Sequence, residues 1–219
     1  MKEIIFLFRF FILLICQALP CLASDRTLSI VGVYNQSKVN FELETNSPYY
    51  SGDESQIDSS INIGALLETP IAGQWGFESG LVFLQRGYQL ENRFDSSKQT
   101  YRWKSLYIPF VGRFHPTPLF TGSIGIYYDQ SIGDLASFSS SDSNSITYQT
   151  MKEHGYQKYD YGMTYSAGVN LKVSPSTVFL IEIRFNESWS NLMDTNLPNV
   201  DKREKATISE TQLFLGFII

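Results

Sequence analysis

The sequence predicts an all-β fold, an eight-stranded antiparallel up-and-down transmembrane β-barrel preceded by a cleaved signal peptide. Three observations lead to this fold class. Long segments alternate apolar and polar residues, their polar faces carry charges of both signs, and the connections between segments alternate between short turns and long loops. These patterns indicate strands whose apolar faces meet lipid and whose polar faces line a shared interior.

The clearest of these segments is Asp160–Val173, DYGMTYSAGVNLKV. Every second residue from Tyr161 to Val173 is apolar or small, and the residues between them are polar or glycine. Successive side chains of a strand point to opposite faces, so one face is apolar and the other is polar. The segment has 14 residues, whereas a globular strand averages about 5–6 residues and a tilted membrane-spanning strand needs about 9–11.

The N-terminus has the layout of a secretory signal peptide. Lys2 precedes an apolar run, Phe10 to Leu19, and a small residue, Ala23, marks the expected cleavage site. The alternative is a transmembrane anchor, which is disfavoured because a spanning helix needs about 20 apolar residues. We therefore predict a signal peptide at residues 1–23 and one outer-membrane β-barrel domain at residues 24–219.

The two cysteines, Cys16 and Cys21, both lie in the predicted leader. A lipoprotein signal at Cys21 is a weaker alternative, because Pro20 stands where a small residue is preferred. Without cysteines, the exported chain has no disulfide, no thiolate metal site and no cysteine nucleophile. Removal of the leader changes the formal net charge from −5 to −6, and the absence of a long basic run makes nucleic acid an unexpected partner.

Period-two runs bounded by turn residues predict eight strands. Their ranges are Thr27–Asn35, Asp58–Glu68, Trp75–Leu90, Tyr101–Phe114, Leu119–Ile132, Tyr156–Val173, Thr177–Asn186 and Ala206–Ile219. The turns after the second, fourth and sixth strands are short, and the four remaining connections, 36–57, 91–100, 133–155 and 187–205, are long. An even number of strands puts both termini on the short-turn side, so we predict periplasmic termini and extracellular long loops in a bacterial outer membrane.

A soluble lipocalin-like barrel or a β-sandwich is the alternative reading of these hairpins. Such folds place apolar residues inside, whereas the charges of this chain stand on the face that would line a barrel interior. In the seventh strand, Glu182 and Arg184 alternate with Ile181 and Ile183. An eight-stranded barrel has an interior just wide enough for side chains to fill, so we expect charges of opposite sign to pair across it and leave no open pore.

The predicted lumen charge network consists of strand-interior charges on the polar face. Its members are Glu78, Arg86, Arg113, Asp129, Asp160, Lys172, Glu182, Arg184 and Glu210. Two further cations, Arg102 and Lys104, fall on the apolar-face parity at the outer end of the fourth strand. We expect these two either to contact lipopolysaccharide phosphates or to be solvated at the rim.

Three stretches of the sequence resemble the PorT-like outer-membrane β-barrel proteins of Bacteroidetes-type bacteria. They are SLYIPFVGRFH at Ser105–His115, KYDYGMTYSAGVNLKVSP at Lys158–Pro175 and IEIRFNESWSNLMD at Ile181–Asp194. The resemblance implies a barrel of about eight strands in the outer membrane, in a family whose molecular roles are mostly unassigned. It also suggests an accessory role in protein secretion or envelope assembly, with envelope or secretion proteins as partners.

The sequence departs from the expected pattern at two positions, and the Ile108-Pro109 pair is part of the resemblance. Tyr107 stands where the family commonly has an acidic residue, and the chain ends in Ile219 where outer-membrane strands usually end in Phe. The last strand keeps its outward alternation, so we expect the barrel-insertion machinery to recognise it. Pro109 lies inside a strand, where proline is disfavoured, and we expect a bulge there.

The sequence offers no catalytic set, cofactor motif or metal-ligand spacing. The two histidines are His115, in a predicted turn, and His154, in a predicted loop with Glu153 and the nearby Asp142. A triad is defined by geometry, and in a Ser-rich loop a serine near a histidine is expected by chance. We therefore predict a non-enzymatic barrel with outer-membrane lipid and lipopolysaccharide as partners, and with a secretion accessory or a narrow small-solute pore as alternative roles.

Overall fold

The computed structural model describes residues 26–42, 55–91, 98–139, 146–149, 156–192 and 205–219, and these residues form one all-β domain. The ten strands are β1 (Thr27–Glu42), β2 (Ser55–Ala72), β3 (Trp75–Glu91), β4 (Lys98–Phe114), β5 (Phe120–Ser131), β6 (Leu135–Ser139), β7 (Ile146–Gln149), β8 (Tyr159–Ser174), β9 (Thr177–Ser188) and β10 (Lys205–Ile218). Within these ranges, no helix is long and apolar enough to span a lipid bilayer.

Eight of the ten strands close into an antiparallel barrel. The hydrogen-bonded order is β3-β2-β1-β10-β9-β8-β5-β4, and the pairing of β3 with β4 completes the ring. β1 and β10, the first and last strands, pair over their whole length, from Ser29 opposite Ile218 to Glu42 opposite Lys205. Closure leaves no free edge among the eight barrel strands, as a lipid environment requires. The predicted fold class is confirmed.

The two remaining strands, β6 and β7, form a hairpin that extends the barrel wall. β5 ends at Ser131, and the N-terminal part of β4 pairs instead with β6, as in Tyr101 opposite Ser137. β7 then pairs with β6. The expectation that residues 133–155 form a loop is therefore wrong for these two segments, which are held by the overhanging end of β4.

Short turns join the strands at one end of the barrel, which we call the turn end. They are the connections Ala72–Trp75, Phe114–Phe120 and Ser174–Thr177. Gly73 supplies the positive φ, 57°, that the first of these turns requires. The opposite end, which we call the loop end, carries the longer connections, and the N- and C-terminal residues of the barrel lie at the turn end.

Side-chain polarity is inverted relative to a soluble barrel. Outward-facing Ile61, Ile124 and Ile183 are 87%, 60% and 46% exposed. Glu182 and Arg184, which flank Ile183 in β9, are 0% exposed. Apolar side chains therefore form the outer surface and charged side chains fill the interior, as the alternation in the sequence predicts.

The apolar part of the interior is divided into two clusters. The larger lies at mid-height and contains Val31, Val33, Leu66, Val82, Leu84, Tyr107, Tyr127, Leu180 and Phe214. The smaller lies towards the loop end and contains Val39, Tyr88, Trp103, Leu135, Leu192, Ala206 and Ile208. Leu135 shows that the β6–β7 hairpin contributes to the closure of this end, because its side chain is fully buried in the second cluster.

Pro109 is accommodated in β4 without a bulge, contrary to the expectation from the sequence. The register between β3 and β4 is the same on both sides of it, with Ser79 opposite Phe110 and Val82 opposite Tyr107. Gly80 stands opposite Pro109, and a Cβ on Gly80 would lie 2.3 Å from the backbone oxygen of Ala65. The β3–β4 ladder is therefore interrupted at two consecutive pairs, where proline supplies no N–H, and its register is unchanged.

Candidate functional site

The charged interior is the candidate functional site, and it divides into two separate groups of ion pairs. The first, which we call the turn-end ion group, contains Glu78, Arg113, Glu182 and Arg184. Arg113 Nη2 lies 2.6 Å from Glu182 Oε2, and Arg184 Nη2 lies 2.8 Å from Glu78 Oε1. Arg113 also pairs with Glu78, and Arg184 with Glu182. Each arginine thus bridges both carboxylates, which gives an alternating ring of charge.

Strand geometry explains how this ring forms. Glu78, Arg113 and Glu182 come from β3, β4 and β9, so the contacts cross the barrel interior instead of following one strand. Gly168 makes room for the ring, since a Cβ there would lie 3.0 Å from the Cβ of Glu182. All four charged members are 2% exposed or less. Buried charges of this kind are tolerated only when they are paired and hydrogen-bonded.

Glu68 and His115 extend the turn-end ion group towards solvent. His115 Nε2 lies 2.6 Å from Glu68 Oε1, and Glu68 Oε2 lies 3.7 Å from Arg113 Nε. Glu68 is therefore a lumen residue that the predicted network lacks, although its position on the polar face of β2 already indicated its direction. His115 is bonded to a carboxylate in the turn after β4, and no serine or cysteine contact accompanies it within the described ranges.

The second group, which we call the loop-end ion group, surrounds one arginine with three carboxylates. Arg86 Nη1 lies 3.1 Å from Asp129 Oδ1 and 3.2 Å from Asp160 Oδ2, and Arg86 Nη2 lies 2.7 Å from Glu210 Oε2. These residues come from β3, β5, β8 and β10, so the group spans the whole barrel interior. Each of the four is 4% exposed or less.

Neutral side chains complete the hydrogen bonding of this group. The Tyr127 hydroxyl donates to Asp160 Oδ2 at 2.9 Å, and the hydroxyls of Ser188 and Ser190 both donate to Asp160 Oδ1 at 2.5 Å. The sequence prediction did not include these three residues. Tyr127 and Ser188 do lie on the inward parity of their strands, which is the signal that could have found them.

Cation–π contacts connect both ion groups to the apolar cluster between them. The Arg184 guanidinium lies 4.6 Å from the ring centroid of Phe214, and that of Arg86 lies 5.8 Å from the centroid of Tyr127. Tyr107 packs against Tyr127 with ring centroids 5.4 Å apart. The two ion groups and the apolar cluster therefore form consecutive packed layers along the barrel interior.

Lys172 does not belong to either ion group, so the prediction that it joins the lumen network is wrong. It has the inward parity of β8, but it lies next to the Ser174–Thr177 turn and is exposed. The parity of a residue determines which face of the strand its side chain occupies, but it does not determine the depth of that side chain along the barrel axis. At this depth the interior opens to solvent, and the ammonium group remains hydrated.

Arg102 and Lys104 lie on the outward side of β4 near the loop end, as predicted. Arg102 is engaged by Asp58 of β2, with Nε 2.9 Å from Oδ2 and Nη2 2.7 Å from Oδ1. The pair passes over Gly87 of β3, where a Cβ would lie 2.4 Å from Asp58 Oδ2. Lys104 is exposed. Contact of these two residues with lipopolysaccharide stays a prediction.

A small cavity lies beside the loop-end ion group. Its volume is about 10 Å³. The lining includes Arg86, Trp103, Asp129, Ser131, Gln157, Lys158, Tyr159, Asp160, Leu192 and Ile208. Among the described residues, no group of three or more His, Cys, Asp or Glu side chains is arranged to hold a metal ion. His154, Glu153 and Asp142, the members of the considered catalytic set, lie outside those residues.

Comparison with protein families identifies one that covers most of this chain. The family described as "Outer membrane protein beta-barrel domain" matches residues 27–194. This range includes both arginines of the turn-end ion group and all of the loop-end ion group except Glu210. No curated protein is similar enough in sequence to count as a match.

Solved structures that resemble this chain include an outer membrane protein and two other bacterial surface proteins. The outer membrane protein OprG from Pseudomonas aeruginosa is 14% identical, with a TM-score of 0.52 over 90% of this chain and 96% of that one. The attachment invasion locus protein Ail of Yersinia pestis is 14% identical, with a TM-score of 0.41 over 89% and 99%. Neisserial surface protein A is 11% identical, with a TM-score of 0.41 over 88% and 96%. At these identities the likeness to OprG shows the fold alone.

Proposed function

This chain belongs to the outer membrane protein β-barrel domain family, and from that premise we propose that it is a filled, non-conducting barrel with a structural or surface-binding role. It resides in the bacterial outer membrane, as its family does. The observation that carries the proposal is the interior itself. Two ion groups and an apolar layer occupy successive depths, and a cavity beside them is about 10 Å³, the space of about one water molecule.

We propose that the turn end faces the periplasm and the loop end faces the cell exterior. Support comes from the lengths of the connections and from the even number of barrel strands, which brings both termini to the turn end. In this orientation the β6–β7 hairpin stands at the external face. Protease treatment of intact cells tests the orientation, because cleavage of the long connections without lysis is expected only if they are extracellular.

Conductance measurements test the non-conducting barrel. The refolded protein, shown to be folded by heat-modifiable migration on a gel, is inserted into a planar lipid bilayer and recorded alongside a known porin. We expect no stepwise current above the bare-bilayer level. Ohmic steps comparable with those of the porin would contradict the filled interior and favour the narrow-pore alternative.

The proposed partners at the external rim are lipopolysaccharide phosphates. Lys104 is exposed on the lipid-facing side of β4, and exposed Lys158 lies nearby, since Ile132 N donates to Lys104 O and Ser131 N donates to Lys158 O. Lys104→Ala should weaken binding of the refolded barrel to lipopolysaccharide. Lys172→Ala is the matched control, because it removes an exposed lysine at the opposite end. Equal losses of lipopolysaccharide binding in the two variants would contradict the proposal.

A secretion or envelope-assembly role is the second candidate. We propose membership of the PorT-like branch of these barrels from the three sequence stretches described above. The β6–β7 hairpin supports a binding role, because it presents a strand beyond the barrel wall. Recognition by the insertion machinery is proposed from the outward alternation of β10. Deletion of the gene should impair export of surface proteins if this role is correct, and an unchanged set of exported proteins would exclude it.

We also propose that the protein has no enzymatic activity. The support is that every charged residue of the two ion groups is engaged in at least one ion pair, and that His115 is bonded to Glu68 at 2.6 Å. His154→Ala tests the alternative. An envelope hydrolase activity that depends on this histidine would contradict the proposal.

A further inference from the structure

The loop-end ion group carries an excess of negative charge. Arg86 is one positive charge, and Asp129, Asp160 and Glu210 are three negative charges, so the ionised group has a formal net charge of −2. All four side chains are buried. A charge held away from water is costly unless it is compensated, and this group therefore favours a species that brings positive charge.

Two of the three carboxylates are well supplied with hydrogen-bond donors. Asp160 accepts from Tyr127, Ser188 and Ser190 as well as from Arg86. Glu210 accepts from Arg86 and from the side-chain amides of Asn35, Asn186 and Gln212. Charge-assisted hydrogen bonds of this kind stabilise an anion, so Asp160 and Glu210 need no further partner.

Asp129 is different, because half of its carboxylate is unpartnered. Its Oδ1 lies 3.1 Å from Arg86 Nη1, whereas Oδ2 is buried and has no hydrogen-bond partner among the described residues. The Ser105 hydroxyl comes close to this carboxylate, yet no hydrogen bond of acceptable geometry joins them. A hydroxyl is neutral, so even a rotated Ser105 would leave the charge imbalance in place.

The unpartnered oxygen belongs to a residue that lines the cavity described above. Ser131 lines the same cavity, and its Oγ is also buried without a hydrogen-bond partner among the described residues. The cavity volume is about 10 Å³, which matches one water-sized species. Gln157, Lys158 and Tyr159 line its loop-end side, where the barrel approaches solvent.

We propose that this cavity binds a small monovalent cation such as Na⁺, with Asp129 Oδ2 and Ser131 Oγ as protein ligands. A cation there compensates one of the two excess negative charges. The cavity has too few ligands for a divalent ion, because Ca²⁺ takes about 6–8 oxygen ligands and Mg²⁺ requires near-ideal octahedral coordination. The described residues provide no cluster of three acidic or histidine ligands for such an ion.

The test compares cations at constant ionic strength. The refolded barrel in zwitterionic detergent is unfolded thermally in NaCl and in choline chloride, whose cation is too large for the cavity. The thermal midpoint should rise in NaCl by about 3–6 °C per tenfold increase in concentration above the dissociation constant. Broadening of the ²³Na resonance by folded protein gives a second readout that does not depend on unfolding.

Four variants make the test specific. Asp129→Asn should abolish both the midpoint difference and the ²³Na broadening, whereas Asp58→Asn, which removes an outward carboxylate paired with Arg102, should preserve both. Lys158→Met should also preserve both. If Asp129→Asn fails to fold, Ser131→Ala provides the same test with no change of charge and should weaken the Na⁺ effect.

Three results would overturn the proposal. Equal midpoints in the two salts without ²³Na broadening would mean that the cavity takes water or that Asp129 carries a proton. A Na⁺ effect that appears only in Lys158→Met would mean that the Lys158 ammonium is the counter-ion. A Na⁺ effect that persists unchanged in Asp129→Asn and Ser131→Ala would place the cation elsewhere. None of these results bears on whether the barrel conducts, so the proposed function is tested separately.

Discussion

At the scale of the residue, the interior is built from charges that depend on one another. Arg184 contacts Glu78 and Glu182 and packs on the Phe214 ring. Removal of one partner from a buried ion pair leaves the remaining charge uncompensated. The loss of stability is then larger than the net stabilisation that the intact pair provides. The turn-end ion group should therefore respond to single substitutions much more strongly than exposed charges do.

Arg184→Ala should lower the free energy of unfolding by about 3–5 kcal/mol, because Glu78 and Glu182 lose a shared cation in a buried site. Urea unfolding of the refolded protein, followed by tryptophan fluorescence, measures the change. Lys172→Ala, at an exposed position of β8, should stay within about 0.5 kcal/mol of the wild type. Similar losses in the two variants would show that the lumen network does not stabilise the barrel.

Individual lumen residues were predictable from the sequence to the extent that strand parity determines them. Period two places Glu182 and Arg184 inside, and the structure agrees. Parity contains no information about depth, which is why Lys172 was wrongly included. Glu68 and Ser190 were missed for a related reason, since their roles depend on which side chains meet across the barrel and on how the chain bends after β9.

At the scale of the element, glycines set how closely neighbouring strands approach on the inner face. Gly125 of β5 lies against β4, and a Cβ there would be 2.2 Å from Phe110 O. Gly112 of β4 has the opposite parity, and a Cβ there would be 3.8 Å from Ile124 O. The same two strands therefore provide a position that excludes a methyl group and one that accepts it.

Gly125→Ala should destabilise the barrel by about 1–3 kcal/mol, the typical cost of forcing extra volume into a packed site. The backbone of β4 must move because the nearest atoms are main-chain atoms. Gly112→Ala should be close to neutral. The temperature at which the folded band on a gel converts to the unfolded band reports both variants, and an equal shift in the two would refute the close approach of β4 and β5.

The eight barrel strands were predictable because each is long enough to show many periods of alternation. The β6–β7 hairpin was not, since its strands have 5 and 4 residues and lie in a Ser-rich segment. Its stability comes from the overhanging end of β4, where Thr100 pairs with Phe138, and from burial of Leu135. Tertiary pairing of this kind has no local signature in the sequence.

At the scale of the whole molecule, inverted polarity connects the sequence to the membrane and to the proposed function. Strands whose charged faces converge close into a small barrel, and the same convergence fills the interior that a channel would need. A closed barrel could be predicted from the even number of alternating strands. The separation of the interior charges into two ion groups could not be predicted, because it depends on the stagger between strands. An interior filled in this way leaves no open lumen for a large ligand, and the space beside the loop-end ion group has a volume of only about 10 Å³.

The most direct test of this account is spin-label accessibility in lipid bilayers. The natural cysteines, Cys16 and Cys21, lie in the predicted leader, so single cysteines can be introduced from Ser24 onward without interference. Ile124 is 60% exposed and its neighbour Ser123 is 8% exposed. A label at Ile124→Cys should collide with lipid-soluble oxygen far more often than with a water-soluble nickel chelate, while a label at Ser123→Cys should be shielded from both. Preferential access of the chelate to the Ile124→Cys label, or equal oxygen access at the two positions, would contradict the inverted barrel.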